Sequence, residues 1–370
     1  METGESDTMD APALPRPPEG AQQTGLRRSQ VLLCAVTIAA CVPYLLLKLL
    51  WLSGNMVGWN DTAQAGDMVH LVGNAITLVM DMLAIVIVLA FTCRWGQRVP
   101  AGLVLLPMWV ATGLLVPIAL GVPVGALVGA VKGSAFAADN GLDGWVYTIV
   151  YGGFTVQAVA IEAAFVLYAR TRWVDVFQMR LVDLHRAATY PIQRLIAVAS
   201  IFVVVPYAAM FVAWGFGVGL SPDQIIARTT AQKVAVIVTG LLSLASVAGM
   251  HLLTKRSHRH IGIHLWVPMT LAWVGASSTF APSLYRLIGV LEGAGETGIT
   301  GLGALVLLGG MLAGLLMGLG SLMLLVERHS VSETTSALTA ESSHALKRLR
   351  RDSGLICGER EGTADRLHMG

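Results

Sequence analysis

Eight long apolar runs, separated by short polar segments, constrain the fold of this chain more than any other feature. Each run has the ~20 residues that a helix needs to cross a hydrocarbon core of ~30 Å. Of the 370 residues, 55% are hydrophobic and only 13% are charged, which is more apolar surface than a water-soluble core could bury. The sequence therefore predicts an all-α, polytopic membrane helical bundle. The predicted spans lie near residues 30–52, 69–92, 101–121, 146–168, 195–217, 233–254, 263–285 and 300–326.

Basic residues are concentrated in every second one of the segments that join these runs. One set of segments contains Arg27, Arg28, Arg94, Arg98, Arg170, Arg172, Lys255 and Arg256, whereas the opposite set carries mainly acids such as Asp61, Asp67, Asp139 and Glu292. Arginine and lysine concentrate in the cytoplasmic loops of membrane proteins. We therefore expect about eight transmembrane helices in the cell (plasma) membrane, with both termini in the cytoplasm.

The polar ends and the centre of the chain divide it into five segments. Residues 1–28 and 329–370 are too polar to bury a core and predict disordered cytoplasmic tails. Residues 29–170 and 195–328 each predict a four-helix membrane unit. Residues 171–194, between them, predict a cytoplasmic linker, formed either by a short interfacial helix or by chain packed on the helix ends.

An internal echo indicates that the two membrane units are copies. Val42-Pro43-Tyr44 is followed by Trp51, and Val205-Pro206-Tyr207 is followed at the same distance by Trp214. Three further pairs occur in the same order: Pro107-Met108 with Pro268-Met269, 127–133 with 287–293, and 168–170 with 326–328. An even number of helices per unit gives both copies one orientation, so the pattern predicts a 4+4 parallel pseudo-repeat.

Two series of glycines at four-residue spacing predict close helix packing. They are Gly121, Gly125 and Gly129 in the third run and Gly310, Gly314 and Gly318 in the eighth. Small residues at this spacing let two membrane helices approach closely. Residues 119–133 also contain Pro123, so this stretch predicts either a kinked helix that projects beyond the bilayer or a short re-entrant piece.

The candidate site residues are polar side chains within the apolar runs. An ionisable group at the centre of a membrane helix costs ~2.5–3.5 kcal/mol on insertion scales, so it marks function by default. Asp81, Glu162 and Lys48 are such groups, and Asn74 lies one to two turns from Asp81. The predicted repeat places apolar residues at the equivalent positions, near Phe211, Leu242 and Gly320. We hypothesise an ion or substrate path in the first half, in which Lys48 either reaches inward to pair with Asp81 or extends to the membrane interface. The alternative is that Asp81 only specifies packing.

Motifs typical of enzymes and cofactor sites do not occur in the sequence. It has no H-E-x-x-H, G-x-S-x-G or Walker-type pattern, so we predict no catalytic residue and favour a non-enzyme. His258, His260 and His264 lie in a basic turn that repels cations, and we predict no metal and no cofactor. The net charge of +2 gives no reason to expect nucleic acid. The expected partners are the lipid bilayer and a membrane protein or a second copy of the chain.

The Pro-Tyr-x-x-x-Lys-x-x-Trp pattern of residues 43–51 resembles a group of uncharacterised multi-pass membrane proteins from actinobacteria. The resemblance implies a bacterial membrane protein in which Lys48 belongs to the motif. It implies no activity. The residues themselves favour a transport-type protein for a small solute or ion. The alternatives are a membrane scaffold or accessory subunit, and third a membrane-embedded enzyme.

Overall fold

A computed structural model describes residues 19–60, 68–133, 142–181, 189–218, 229–254, 262–292 and 301–324. Within these ranges the chain forms eight long helices, and the predicted all-α helical bundle is confirmed. Two short helices, Arg94–Gln97 (3-10) and Val174–Gln178, join them. The long helices are α1 (Glu19–Leu52), α2 (Met68–Thr92), α3 (Ala101–Val131), α4 (Gly144–Arg172), α5 (Tyr190–Gly215), α6 (Thr230–Thr254), α7 (Trp266–Glu292) and α8 (Gly301–Leu324).

Seven of these helices, all except α7, are long and apolar enough to cross a membrane. The chain is therefore an integral, multi-pass membrane protein. Helix α7 has 27 residues but a more polar sequence, with Ser277, Ser278, Thr279 and Ser283 completely buried. It packs against α3 and α6. A helix enclosed by other helices need not match the apolarity of lipid, because its hydroxyls bond to backbone carbonyls one turn away.

The helices form two groups that meet along α3. In the first group, α1 packs along α2 and α4, and α4 also contacts α3. In the second group, α6 lies between α5 and α7. Helix α3 contacts both α6 and α7, and its Trp109 belongs to the apolar core of the second group. We call the contact of α3 and α4 with α6 and α7 the seam.

Three details differ from the sequence-based expectations. Helix α1 begins at Glu19, before the expected end of the tail at residue 28, because the polar residues preceding Arg27 continue the helix beyond its apolar part. Helix α3 runs unbroken from Ala101 to Val131 despite three internal prolines, so the re-entrant alternative is wrong. At 31 residues it is ~46 Å long and exceeds the bilayer core. The tails at 1–18 and 329–370 lie outside the described residues.

In its described part, the linker between the halves has one five-residue helix, Val174–Gln178. The chain then pairs with the segment before α7, where Leu181 N–H donates to Ile263 O at 2.8 Å and Leu265 N–H donates to Met179 O at 2.9 Å. The Leu181 side chain is buried in the core of the second group. These contacts favour the alternative of a linker packed on helix ends, although residues 182–188 lie outside the described part of the chain.

Candidate functional site

Lys48 is buried inside the first half, where its side chain is only 6% exposed. Its ammonium donates a hydrogen bond to Asn74 Oδ1 on α2 at 2.6 Å. The same ammonium lies 4.6 Å from the ring centroid of Tyr44 and 5.1 Å from that of Trp51. Tyr44 and Trp51 are four residues before and three residues after Lys48, so all three share one face of α1. The ring faces attract the cation. We call these two rings the first aromatic frame.

Asp81 is buried where α1, α2 and α4 converge, and its residue is 4% exposed. Its Oδ1 accepts a hydrogen bond from Gln157 Nε2 on α4 at 3.4 Å. Its Oδ2 is buried and has no hydrogen-bond partner among the described residues. Lys48 and Cys41 lie within electrostatic range of the carboxyl. Buried polar atoms are normally hydrogen-bonded, so an unpartnered carboxylate oxygen calls for an explanation.

Lys48, Asn74, Asp81 and Gln157 form one polar site enclosed by three apolar helices. Asn74 and Asp81 are two turns apart on α2, about 10 Å along its axis. The lysine therefore hydrogen-bonds at one end of the site, and the carboxyl lies toward the other. One cation, one acid and two amides can hold a small polar solute or exchange an ion. Apolar side chains surround the site, so water screens its electrostatic interactions less than at the surface.

Glu162 does not join this site. It follows Gln157 by five residues on α4, which turns its side chain about 140° around the helix. Its carboxyl hydrogen-bonds with the hydroxyl of Thr112 on α3, and its Oε1 is a buried atom without a partner among the described residues. The structure thus brings together three of the four predicted path residues and places the fourth at the seam.

The predicted glycine series contact helices of the same chain. A Cβ added at Gly121 or Gly125 would lie 2.3 Å from Ala235 Cα or 2.4 Å from Ala231 Cα on α6. Gly129 is also buried on α3. On α8, Cβ atoms added at Gly310, Gly314 and Gly318 would meet Tyr207 of α5, Ala276 and Phe280 of α7, and Trp109 of α3. The glycine faces on these two helices therefore lie inside the bundle.

The second half contains an aromatic pair at the same spacing, Tyr207 and Trp214, which we call the second aromatic frame. Phe211 occupies the position between them, stacks on Tyr207 at 4.3 Å and contacts Trp214 at 5.2 Å. A cation also lies here, but it comes from α7. The Arg286 guanidinium carbon is 5.2 Å from the Phe211 ring centroid and 5.9 Å from that of Trp214.

Three residues of these sites do not follow from the sequence hypothesis. Gln157 is an amide in the middle of an apolar run, and the rule that singled out ionisable groups could have been widened to include it. Cys41 precedes Lys48 by two turns, so it lies on the same face of α1. Arg286 is close to a helix end in the sequence, and no local pattern links it to Phe211, 75 positions earlier.

Among the described residues, no group of three His, Cys, Asp or Glu side chains is arranged to hold a metal ion. No protein-family model, curated protein or solved structure matches this chain.

Proposed function

We propose that this protein is a transport-type membrane protein whose site at Lys48, Asn74, Asp81 and Gln157 binds a small solute or ion. We also propose that both termini lie in the cytoplasm, as the distribution of arginines predicts. The proposal goes beyond the membrane location, and it depends on one observation: Asp81 Oδ2 is buried without a hydrogen-bond partner in the described structure.

The polar groups of the site differ in how many of their possible hydrogen bonds are formed. An oppositely charged pair held only for packing is expected to satisfy its hydrogen bonds internally, because an unsatisfied buried group destabilises the fold. Here the Lys48 hydrogen bond goes to Asn74, and Asp81 Oδ2 has none. An acid with a free acceptor position, beside a cation and within a bundle of membrane helices, is suited to bind and release a ligand.

A scaffold that binds a partner through its glycine faces is less well supported. Gly121 and Gly125 pack on α6, and Gly310, Gly314 and Gly318 pack on helices of the same chain. These faces are therefore not available to another protein. A scaffold with a dry interior remains the outcome that would replace the transport proposal.

Cys41 and Cys34 supply a matched pair of probes for water access. They are seven residues apart on the same side of α1, and both are buried and unbridged. Cys41 lies beside Asp81, whereas Cys34 packs in the apolar cluster with Phe91 and Ile161. Two single-cysteine variants of the full chain, retaining either Cys41 or Cys34, are reconstituted in liposomes and treated with a charged methanethiosulfonate. The thiolate sulfur attacks the reagent, a disulfide forms and sulfinate leaves.

We expect the reagent to modify Cys41 from the aqueous phase of at least one side and to leave Cys34 unmodified. Adding Asp81→Asn should lower the ratio of the rate with a cationic reagent to the rate with an anionic one, because the carboxylate attracts cations and repels anions. Protection of Cys41 from both sides would show a dry bundle and favour the scaffold. Equal modification of both cysteines would show general loosening of α1 and would also overturn the proposal.

A further inference from the structure

Glu162 is a buried acid whose surroundings differ from those of Asp81. Its Oε1 has no partner among the described residues, and its carboxyl hydrogen-bonds only with the Thr112 hydroxyl. Thr112 is completely buried. The Thr112 hydroxyl also accepts a long hydrogen bond from Trp273 Nε1 of α7, at 3.5 Å. Trp109 Nε1 in turn donates to Trp273 O at 3.2 Å, so a polar chain crosses the seam.

The side chains that face Glu162 offer it no countercharge. Helix α3 presents the Thr112 hydroxyl, and α7 reaches the same hydroxyl with the neutral Trp273 indole. Among the described residues, no charged or titratable group lies within electrostatic range of this carboxyl. The carboxyl of Asp81, in contrast, has the Lys48 ammonium within electrostatic range.

An isolated carboxylate is much harder to bury than a paired one. Moving a single charge into an apolar interior costs so much that a buried acid without a partner becomes neutral. The Thr112 hydroxyl has one proton, which either stays with Met108 O at 2.8 Å or is donated to Glu162. One hydrogen bond of this kind does not replace the hydration of a carboxylate.

We propose that Glu162 is a proton-binding site at the seam, occupied by one proton when the helices are packed as in this structure. The Thr112 hydroxyl holds the carboxyl against α3, and Trp273 ties the same hydroxyl to α7. A role of this proton in transport rests on the proposed transport function. Movement of α4 away from α3 would remove the Thr112 contact and admit water. The carboxyl O–H bond would then break, with the proton passing to water and a carboxylate left on α4.

Infrared spectroscopy of the full chain in lipid bilayers tests the resting protonation without a ligand. A protonated carboxylic acid has a carbonyl stretch apart from the carboxylate bands, and it shifts when H₂O is replaced by D₂O. We expect this band at neutral pH in the unmodified protein, its loss in Glu162→Gln and its retention in Asp81→Asn. Thr112→Val should move the band to higher frequency, because the hydrogen bond between the carboxyl and the hydroxyl is removed.

A spectrum in which Glu162→Gln removes carboxylate intensity and no protonated band would overturn the inference. A protonated band that disappears in Asp81→Asn and persists in Glu162→Gln would also overturn it, because the proton would then lie at Asp81. An unchanged band in Thr112→Val would overturn the link from Glu162 to α7. None of these results changes the modification of Cys41, so failure here is distinguishable from failure of the proposed function.

Discussion

The first and second aromatic frames have the same spacing but obtain their cation in different ways. In the first, Lys48 extends from between Tyr44 and Trp51 on one helix. In the second, Phe211 fills that position and Arg286 reaches the rings from α7. The sequence alone suggests that the second half has lost the charge. The structure shows a cation beside both pairs of rings.

The difference lies in what else surrounds each cation. The first frame adjoins Asn74 and Asp81 on α2 and Gln157 on α4, so its cation is part of a site with an acid and amides. Beside the second frame, the Tyr207 hydroxyl accepts a hydrogen bond from Ser283 at 3.1 Å. The described residues place no acid within electrostatic range of Arg286. We infer that the first frame belongs to a functional site and that the second stabilises the packing of α5 on α7.

In each half, the first and last helices approach each other at a glycine. A Cβ added at Gly153 on α4 would lie 3.2 Å from Ala40 O on α1. A Cβ added at Gly309 on α8 would lie 3.2 Å from Val203 Cγ1 on α5. Both glycines belong to a Gly-Gly pair, and Val203 follows Ala40 by the 163 residues that also separate the two frames. The internal repeat stays a prediction from the sequence.

The largest effect that would sharpen this comparison is expected for Lys48→Met. The substitution removes the hydrogen bond to Asn74, two cation–π contacts and the countercharge of the buried Asp81, which together should lower the free energy of unfolding by about 3–5 kcal/mol. The measurement is denaturant-induced unfolding of the full chain in detergent micelles. Methionine keeps the length of the side chain, so a loss of this size would reflect the charge.

The matched control for Lys48→Met is the double variant with Asp81→Asn, which has no unpaired charge. We expect it to recover at least about half of the lost free energy, because the penalty of one isolated ion is gone. A double variant as unstable as Lys48→Met would mean that the two residues do not interact. A single variant as stable as the unmodified protein would show that Asp81 is already neutral.

Helix positions could be predicted closely because the physics behind them is local. The predicted run 69–92 is apolar over a full membrane thickness and is followed by polar residues. The observed helix α2 has almost the same bounds, Met68–Thr92. Helix α7 shows where this reasoning is incomplete. Its Ser277-Ser278-Thr279 run makes it less apolar than the seven candidate membrane spans, and the neighbouring helices bury that run.

The polar site could be predicted only in part. Lys48 and Asp81 are conspicuous because a charge inside an apolar membrane helix is costly. The rotation of α4 decides that Gln157 faces Asp81 and that Glu162 faces Thr112. That rotation depends on how side chains interlock across three helices, which no single helical pattern encodes. For the same reason, Arg286 could not be assigned to the second frame from its position in the chain.

A smaller loss of stability is expected for Gly310→Ala, at the close contact of α8 with α5. At Gly310, an added Cβ would lie 2.5 Å from the Tyr207 ring, whereas at Gly152 it would meet nothing within 4 Å. Overpacking a close contact costs about 1–3 kcal/mol. Alanine also improves helix propensity over glycine by about 1 kcal/mol. Gly310→Ala should therefore lower the unfolding midpoint, and the matched variant Gly152→Ala should leave it unchanged or raise it. Equal effects would mean that α8 and α5 are not in close contact.

An effect of similar size is expected for Arg286→Met, which tests the second frame directly. The loss should be that of a partly desolvated cation–π contact, about 0.5–2 kcal/mol, because the described residues leave no acid unpaired when the guanidinium is removed. Arg286→Lys keeps the charge and should lose less than Arg286→Met in the same unfolding assay. A loss as large as that of Lys48→Met would break the comparison, because it would show that Arg286 also compensates an acid. Each half would then contain a charged site, and the first half could no longer be singled out by its charge.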